Sequence, residues 1–260
     1  MRGVHPIRNV AARWAHRFRG TRAAWLSLAL LALAAPLLRS EDLTVTAQVT
    51  LTHSGKAASN SAGHADAVVW LRPLDSFGKP SSAPAAGALR RKINQKDKRF
   101  SPHVLPVVVG SVVDFPNLDP FFHNVFSLYD GKRFDLGLYE SGKSARVRFD
   151  RPGICYVFCN IHPEMSAVVV VLETPYYGVS DDAGKVTIPG VPAGRYLMSV
   201  WHPLLADQQV QGYPREVQVN AQGANLGAIA ISAAGSFPIP HKNKHGQEYE
   251  TVNPLGGVTY

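Results

Sequence analysis

The residues in this chain whose types and spacing predict chemistry are a cysteine, a histidine and a methionine on one short segment. They form the pattern Cys159-x-x-His162-x-x-Met165, and a further histidine, His123, lies about 36 positions before the cysteine. A thiolate suits Cu(I), imidazole suits both oxidation states of copper, and a long axial thioether tunes the reduction potential. Two histidines, one cysteine and a weak methionine ligand are the set that a blue-copper electron-transfer site requires.

A site of this kind needs a fold that brings two distant segments together. A tight loop fixes the relative positions of Cys159, His162 and Met165, whereas His123 must come from another loop. In a β-sandwich the loops cluster at the two ends of the sheets, so loops that are far apart in sequence become neighbours. The spacing therefore favours a sandwich with His123 and the cysteine loop at one end.

The chain contains the strands that such a fold needs. Short apolar segments alternate with turn signals, and no segment shows a sustained helical period. The clearest strand signals lie at residues 43–51, 67–71, 107–115, 124–128, 145–149 and 167–172. Short, closely spaced strands with turn residues between them are typical of β-sandwiches. We therefore predict an all-β chain with sandwich architecture.

A second cysteine, Cys155, raises the question of a disulfide, which an oxidising compartment would favour. Residues 154–158 are rich in β-branched and aromatic side chains, which predicts a strand. Residues four apart on one strand lie about 13 Å apart, whereas a disulfide needs Cα atoms within about 7 Å. We therefore expect Cys155 and Cys159 to be unbridged thiols.

The net charge of +8 comes mostly from the first 35 residues, which hold six arginines and no acidic residue. The 27 basic residues less these six leave 21, against 19 acidic ones, and this balance does not indicate nucleic-acid binding. An arginine-rich start followed by an apolar run at residues 23–38 is typical of a secretory signal. The run is shorter than the roughly 20 residues of a spanning helix. We predict a signal peptide at residues 1–35, with an uncleaved anchor as the alternative, and a periplasmic protein without a further membrane span.

Two runs of residues between positions 92 and 172 match the pattern of one known family. The first run is Phe100-x-Pro102, Val107, Gly110, Val113-x-Phe115-x-Asn117-x-Asp119 and His123-Asn124-Val125. The second run is Gly153-x-Cys155-Tyr156-Val157-Phe158-Cys159-x-x-His162-Pro163-x-Met165. The region resembles a cupredoxin, a Greek-key sandwich of the plastocyanin and amicyanin type, over about 80 residues. The compact His-Pro-x-Met ending is most similar to amicyanin.

The resemblance implies one type-1 copper per chain and a role for each matching residue. His123, Cys159 and His162 would be the equatorial ligands, Met165 the axial ligand, and Asn124 the residue that ties the two ligand loops together near the thiolate. Hydrogen bonds of the last kind tune a metal site. Cys155 departs from the family, which usually has an aromatic residue there. The two cysteines also resemble the binuclear copper loop of cytochrome oxidase subunit II, so a binuclear centre stays open as the alternative.

A second β module is predicted at residues 173–232. The segment Asp182-Ala-Gly184-Lys-Val186-x-Ile188-x-x-Val191-Pro192-x-Gly194-x-Tyr196 resembles the carboxypeptidase regulatory-like domain, a transthyretin-like sandwich. About 60 residues are few for such a sandwich, so strands at residues 41–75 are predicted to complete it, with the cupredoxin-like region inserted between them. Residues 76–91 are predicted to form a linker. Residues 233–260 are predicted to form a tail that is loose or lies along the surface.

These patterns predict an electron carrier rather than an enzyme, with no catalytic residue. A copper oxidase would need histidines beside the cysteine, but Cys159 is flanked by Phe158 and Asn160. The resemblance implies that electrons pass through the edge of His162. A redox partner protein would dock on the apolar patch around His162, formed by Phe121, Phe122 and Pro163, because small patches suit brief redox contacts. Copper delivery or sensing without electron transfer stays open, since ligand types alone do not exclude it.

Overall fold

The computed structural model describes residues 43–53, 56–57, 64–74, 90–128, 132–205, 214–233 and 241–249. Within these ranges every regular element is a β-strand, so the all-β prediction is confirmed. None of these residues belongs to a helix that is long and apolar enough to cross a membrane. The predicted signal peptide at 1–35 lies outside the described residues, as do most of the predicted linker and most of the predicted tail.

The described residues form strands that belong to two sandwiches. In chain order they are β1 (Leu43–His53), β2 (Lys56–Ala57), β3 (Val68–Pro73), β4 (Arg90–Lys92), β5 (Asn94–Lys96), β6 (Arg99–Ser101), β7 (Val104–Val108), β8 (Val112–Pro116), β9 (His123–Ser127), β10 (Phe134–Tyr139), β11 (Ser144–Arg148), β12 (Gly153–Phe158), β13 (Ser166–Leu172), β14 (Tyr177–Val179), β15 (Lys185–Val191), β16 (Gly194–Trp201), β17 (Arg215–Val219) and β18 (Ala224–Ser232).

Strands β4 to β13 build the first sandwich. The larger sheet has the order β10–β9–β12–β13–β7, the smaller has the order β11–β8–β4, and β5 pairs with β6. Strand β13 pairs parallel with β7 and antiparallel with β12, and β9 pairs antiparallel with both β12 and β10. The chain crosses between the two sheets, so loops that are distant in sequence meet at one end.

A glycine turn splits one predicted strand of this sandwich. The apolar pattern at 107–115 predicts a continuous strand, but β7 ends at Val108 and β8 begins at Val112. Gly110 between them has a φ of 90°, which glycine adopts without steric cost. Its N–H donates to the carbonyl of Phe149 at 2.6 Å. The single-strand prediction is therefore wrong, because the residues on either side of Gly110 belong to different sheets.

Strands from both ends of the described chain build the second sandwich. The sheet β15–β1–β18, with β2 paired to β1, faces the sheet β14–β3–β16–β17 across an apolar core. Strand β1 is antiparallel to β15 and parallel to β18, and β3 lies between β14 and β16. The first sandwich is thus inserted between β3 and β14 in the chain. Where one domain ends and the next begins stays a prediction.

An apolar layer joins the two sandwiches through β13, whose residues are buried along the whole strand. Val169 and Val171 face the core of the first sandwich. Val168 and Val170 face the other way and pack in one cluster with Trp201 of β16. A strand that is covered on both faces carries a continuous apolar run instead of an alternating pattern. This explains the run of four valines, and it couples the two sandwiches.

We expect substitutions on the two faces of β13 to destabilise both sandwiches together. Val169→Ala removes methyl groups from the first core, and Val170→Ala removes them from the shared layer. Each should lower the free energy of unfolding by about 2 kcal/mol. Urea unfolding is followed by circular dichroism and by the fluorescence of Trp70 and Trp201, which lie in the second sandwich. A Val169→Ala protein whose tryptophan transition does not move would show that the sandwiches unfold independently.

Candidate metal centre

The hairpin of β12 and β13 holds the three predicted ligands that lie close together in sequence. Its last strand pair is Phe158 with Ser166, so residues 159–165 form the connecting loop. The Cys159 N–H donates to the Met165 carbonyl at 3.2 Å, and the Met165 N–H donates to the His162 carbonyl at 3.0 Å. These bonds close the loop at its base. The loop ends are therefore fixed by the sheet and not only by the side chains.

His123 reaches the same place from the start of β9. It pairs with Tyr139 of β10, and β9 pairs with β12 where Phe126 lies opposite Phe158. Strand β9 is therefore next to β12, whose last residue, Phe158, directly precedes Cys159. The structure brings His123, Cys159 and His162 together, with their ligand atoms all within 4.8 Å of one another.

The distances inside this group fit one metal ion. The Cys159 Sγ lies 3.7 Å from His123 Nδ1 and 3.6 Å from His162 Nδ1. Bonds of about 2.3 Å to sulfur and about 2.0 Å to nitrogen, meeting at about 110–120°, place those two atoms about 3.5–3.7 Å apart. His123, Cys159 and Met165 are fully buried, and Met165 lies in the same apolar cluster as Cys159. The donor set and its spacing therefore suit a thiolate-binding metal such as copper.

A buried carboxylate orients the His123 ring. The Asp119 Oδ2 lies 2.7 Å from His123 Nε2, and both side chains are almost completely buried. The Asp119 carboxylate also accepts hydrogen bonds from the N–H groups of Asp97 and Lys98. Burial raises the pKa of Asp119, but these hydrogen bonds outweigh burial and hold the pKa below its usual value. The Asp119 carboxylate binds Nε2 of His123, so Nδ1 is the ring nitrogen that faces the Cys159 sulfur. A carboxylate that binds the other ring nitrogen strengthens a histidine as a metal ligand.

The Cys159 sulfur lies among backbone N–H groups. Burial raises the pKa of its thiol, while hydrogen bonds from the N–H groups of Asn124, Ile161 and His162 oppose that rise. The metal-free protein therefore carries a protonated thiol at neutral pH. A bound cation reverses this balance, because a coordinating thiol is deprotonated. The same three N–H groups would then donate to the thiolate.

Asn124 contacts both the Cys159 sulfur and a carboxylate of the neighbouring strand β10. Its backbone N–H donates to the Cys159 sulfur. Its side-chain Nδ2 donates to Asp135 Oδ1 at 2.6 Å. Asp135 in turn accepts a hydrogen bond from Lys244 Nζ at 2.8 Å. The residue after His123 thus joins a hydrogen-bond chain that runs from the sulfur to the protein surface.

Cys155 lies outside the ligand group. It is in β12, as its strand prediction requires, and both cysteines are free. Its sulfur lies 3.4 Å from Ser127 Oγ and 3.5 Å from the Lys132 carbonyl oxygen, within hydrogen-bond distance of both. Burial raises the pKa of Cys155 to about 11, so it stays a thiol at neutral pH. Among the described residues the group that could hold a metal contains Cys159 but not Cys155.

Several residues at the site were missed by sequence reasoning. Asp119 matches the family pattern, but nothing in the sequence shows that its carboxylate meets His123. Asp135 and residues 241–249 carry no signal at all, and the structure places them against the ligand loops. Their role depends on contacts across more than 80 positions of chain, such as the bond from the Lys244 N–H to Asn160 Oδ1.

No protein-family model matches the chain, and no curated protein matches it. Among solved structures, the chain is similar to a copper-containing nitrite reductase from Thermus scotoductus SA-01 over 33% of its length, with 27% identity and a TM-score of 0.32, and it spans 23% of that protein. A purple cupredoxin from Nitrosopumilus maritimus is 24% identical over 32% of this chain and 99% of its own, with a TM-score of 0.29. A reduced amicyanin variant is 23% identical over 34% of this chain and 85% of its own, with a TM-score of 0.31.

We expect metal uptake to release about one proton per chain near neutral pH. Burial raises the pKa of Cys159, so the thiol must lose its proton, whereas burial and the electrostatic effects of His123 and Lys98 lower the pKa of His162, which is already neutral. Affinity should therefore rise about tenfold per pH unit between about pH 6.5 and 8. Chelator competition with Zn²⁺, which does not oxidise the thiol, measures the slope. An affinity that does not change with pH would contradict the assignment of Cys159 as a ligand.

We also expect Asp119→Asn to weaken Zn²⁺ binding about 10- to 100-fold, because it removes the anion that orients His123. Asp150→Asn is the matched control, since that carboxylate pairs with Lys132 at a more exposed position. Both variants are compared by chelator competition after circular dichroism has shown that they are folded. Equal affinities for a folded Asp119→Asn and the control would rule out the orienting role of Asp119.

Proposed function

We propose that the protein is an exported type-1 copper protein that carries single electrons. The observation that carries this proposal is the pair of Nδ1 atoms at 3.7 and 3.6 Å from the buried sulfur of Cys159. His123, Cys159 and His162 would hold the copper as equatorial ligands, and Met165 would be the axial ligand. Bound copper would supply a reversible one-electron couple.

The protein's own residues support fast electron exchange rather than copper storage. The ligands approach one another to metal-binding distances through strand pairing, buried apolar packing and the Asp119 hydrogen bond. A site held in this way changes little between two oxidation states, because its geometry does not depend on the metal. Copper delivery favours a loop that opens easily, whereas this loop is tied at its base by backbone hydrogen bonds.

His162 is the proposed point of electron entry and exit. It is the least buried of the three grouped ligands. The ring of Phe121 lies 5.7 Å from the ring of His162. Phe121 and Phe122 are 37% and 54% exposed, and Ile161 beside His162 is 44% exposed. An apolar surface of this kind around the ligand edge suits a redox partner that binds briefly.

The proposal also covers the rest of the chain. We assign the protein to the periplasm because of the arginine-rich, apolar start of the sequence. We propose that the second sandwich is the carboxypeptidase regulatory-like domain that its turns resemble. Because an apolar layer joins it to β13, it would stiffen the sandwich that carries the copper. We propose no enzymatic activity, since Phe158 and Asn160 flank Cys159 where an oxidase needs histidines.

Copper loading of the purified protein tests this function. Visible absorption should show a strong thiolate-to-copper band, and paramagnetic resonance should show the signal of Cu(II). Metal analysis should give about one copper per chain, as for a single Cys–His₂ site. The band should vanish in Cys159→Ser and persist in Cys155→Ser, which is the matched control in the same hairpin. Loss of the band in both variants at two coppers per chain would establish a binuclear centre instead. A colourless protein that retains only zinc, or one that transfers Cu(I) but does not cycle reversibly in voltammetry, would rule out electron transfer.

A further inference from the structure

A segment near the C-terminus packs against both ligand-bearing parts of the metal centre. Residues 241–249, here called the clasp, form a compact turn of their own. The Asn243 side chain accepts hydrogen bonds from the N–H groups of His245 and Gln247, and the Asn243 N–H donates to the Gln247 carbonyl. The clasp therefore presents a defined shape to the first sandwich.

The clasp holds the cysteine loop at two points. The Tyr249 hydroxyl donates to the carbonyl of Cys159 at 2.9 Å. The Lys244 N–H donates to Asn160 Oδ1 at 2.8 Å. Burial raises the pKa of Tyr249 to about 12, so its hydroxyl remains a donor throughout the neutral range. Since the Cys159 N–H already donates to Met165, Tyr249 satisfies the other backbone group of the same ligand.

The clasp also reaches the segment that carries His123. Lys244 Nζ pairs with Asp135 Oδ2 at 2.8 Å, and Asp135 Oδ1 accepts from Asn124 Nδ2 at 2.6 Å. Asn124 follows His123 directly, and its backbone N–H donates to the Cys159 sulfur. Lys244 therefore contacts the cysteine loop through its backbone and the His123 strand through its side chain.

An aromatic contact completes the clasp. The His241 ring stacks on Phe158 with a centroid distance of 3.7 Å and an interplanar angle of 19°. The ring of Tyr249 meets the His241 ring edge-on at 5.3 Å. Phe158 is the last residue of β12 and immediately precedes Cys159. The His241 ring thus contacts the chain where β12 ends and the ligand loop begins.

We propose that the clasp keeps the Cys159–Met165 loop closed over the metal position, with Tyr249 and Lys244 as positioning residues. This inference rests on the proposed metal centre, but it concerns the loop itself and holds for the metal-free protein too. Loops open locally when few contacts tie them to the rest of the fold. Loss of one neutral hydrogen bond of typical strength should raise the population of the open loop about 3- to 10-fold.

Thiol alkylation of the metal-free, full-length protein tests the proposal. Cys159 and Cys155 are both fully buried, so iodoacetamide modifies either one only when the structure opens. Mass spectrometry measures the two rates separately, and Cys155 in the strand serves as the internal reference. Tyr249→Phe and Lys244→Met should each raise the Cys159 rate about 3- to 10-fold and leave the Cys155 rate unchanged. Lys244→Arg should restore the rate, because it retains the charged bond to Asp135.

Lys242→Met is the matched control in the same segment. Its side chain is 61% exposed and pairs with Glu248, which is 80% exposed, so its loss should change neither rate. The proposal fails if Tyr249→Phe and Lys244→Met behave like this control. It also fails if the Cys155 rate rises as much as the Cys159 rate, since this pattern indicates global destabilisation.

The release rate of Zn²⁺ to an excess of chelator gives a second readout. Release should be faster in Tyr249→Phe and Lys244→Met than in Lys242→Met, and Lys244→Arg should return it to the original value. Equal release rates in all variants would overturn the proposal that the clasp keeps the loop closed. If alkylation depends on the clasp but copper loading gives no thiolate-to-copper band, the clasp proposal stands and the proposed electron-transfer function fails. Failure of the clasp proposal and failure of the proposed function are therefore distinguishable.

Discussion

The burial of β13 on both faces is the constraint on which the rest of the structure depends. One face of the strand lies in the core of the first sandwich and the other in the layer that contains Trp201. A slip of one residue in its pairing with β12 would exchange all its side chains between these two environments. The pairing of Phe158 with Ser166 is therefore held by two apolar layers at once. Because the ligand loop starts and ends at this pair, the same packing positions the metal centre.

The centre combines this rigid support with a few directional bonds. Strand pairing brings His123 next to the loop, and the Asp119 carboxylate selects which ring nitrogen faces the sulfur. The donor N–H groups around Cys159 leave a site that suits a thiolate, although the buried thiol holds its proton until a cation binds. The site is thus prepared for metal by the fold. This preparation fits the proposed one-electron centre, because little would have to move when the charge changes.

The clasp adds a second set of contacts to the ligand loop. Tyr249 and Lys244 bind the loop from outside, while β13 and its apolar layers support it from inside. The exposed side of the site is left to His162 and the aromatic residues around it. The proposed electron transfer through the edge of His162 would need both this closure on one side and this access on the other.

The sequence by itself determined the all-β class, the strand that contains Cys155, and the positions of the ligand types, because side-chain alternation and short-range spacing are local properties. It did not determine the break at Gly110, since the apolar residues on its two sides belong to sheets that only the folded chain defines. It also left Asp119, Asp135 and the clasp without a role. Tertiary structure decided these, because the hydrogen bonds that give Asp135 and Tyr249 their function join residues that are close in space and far apart in sequence.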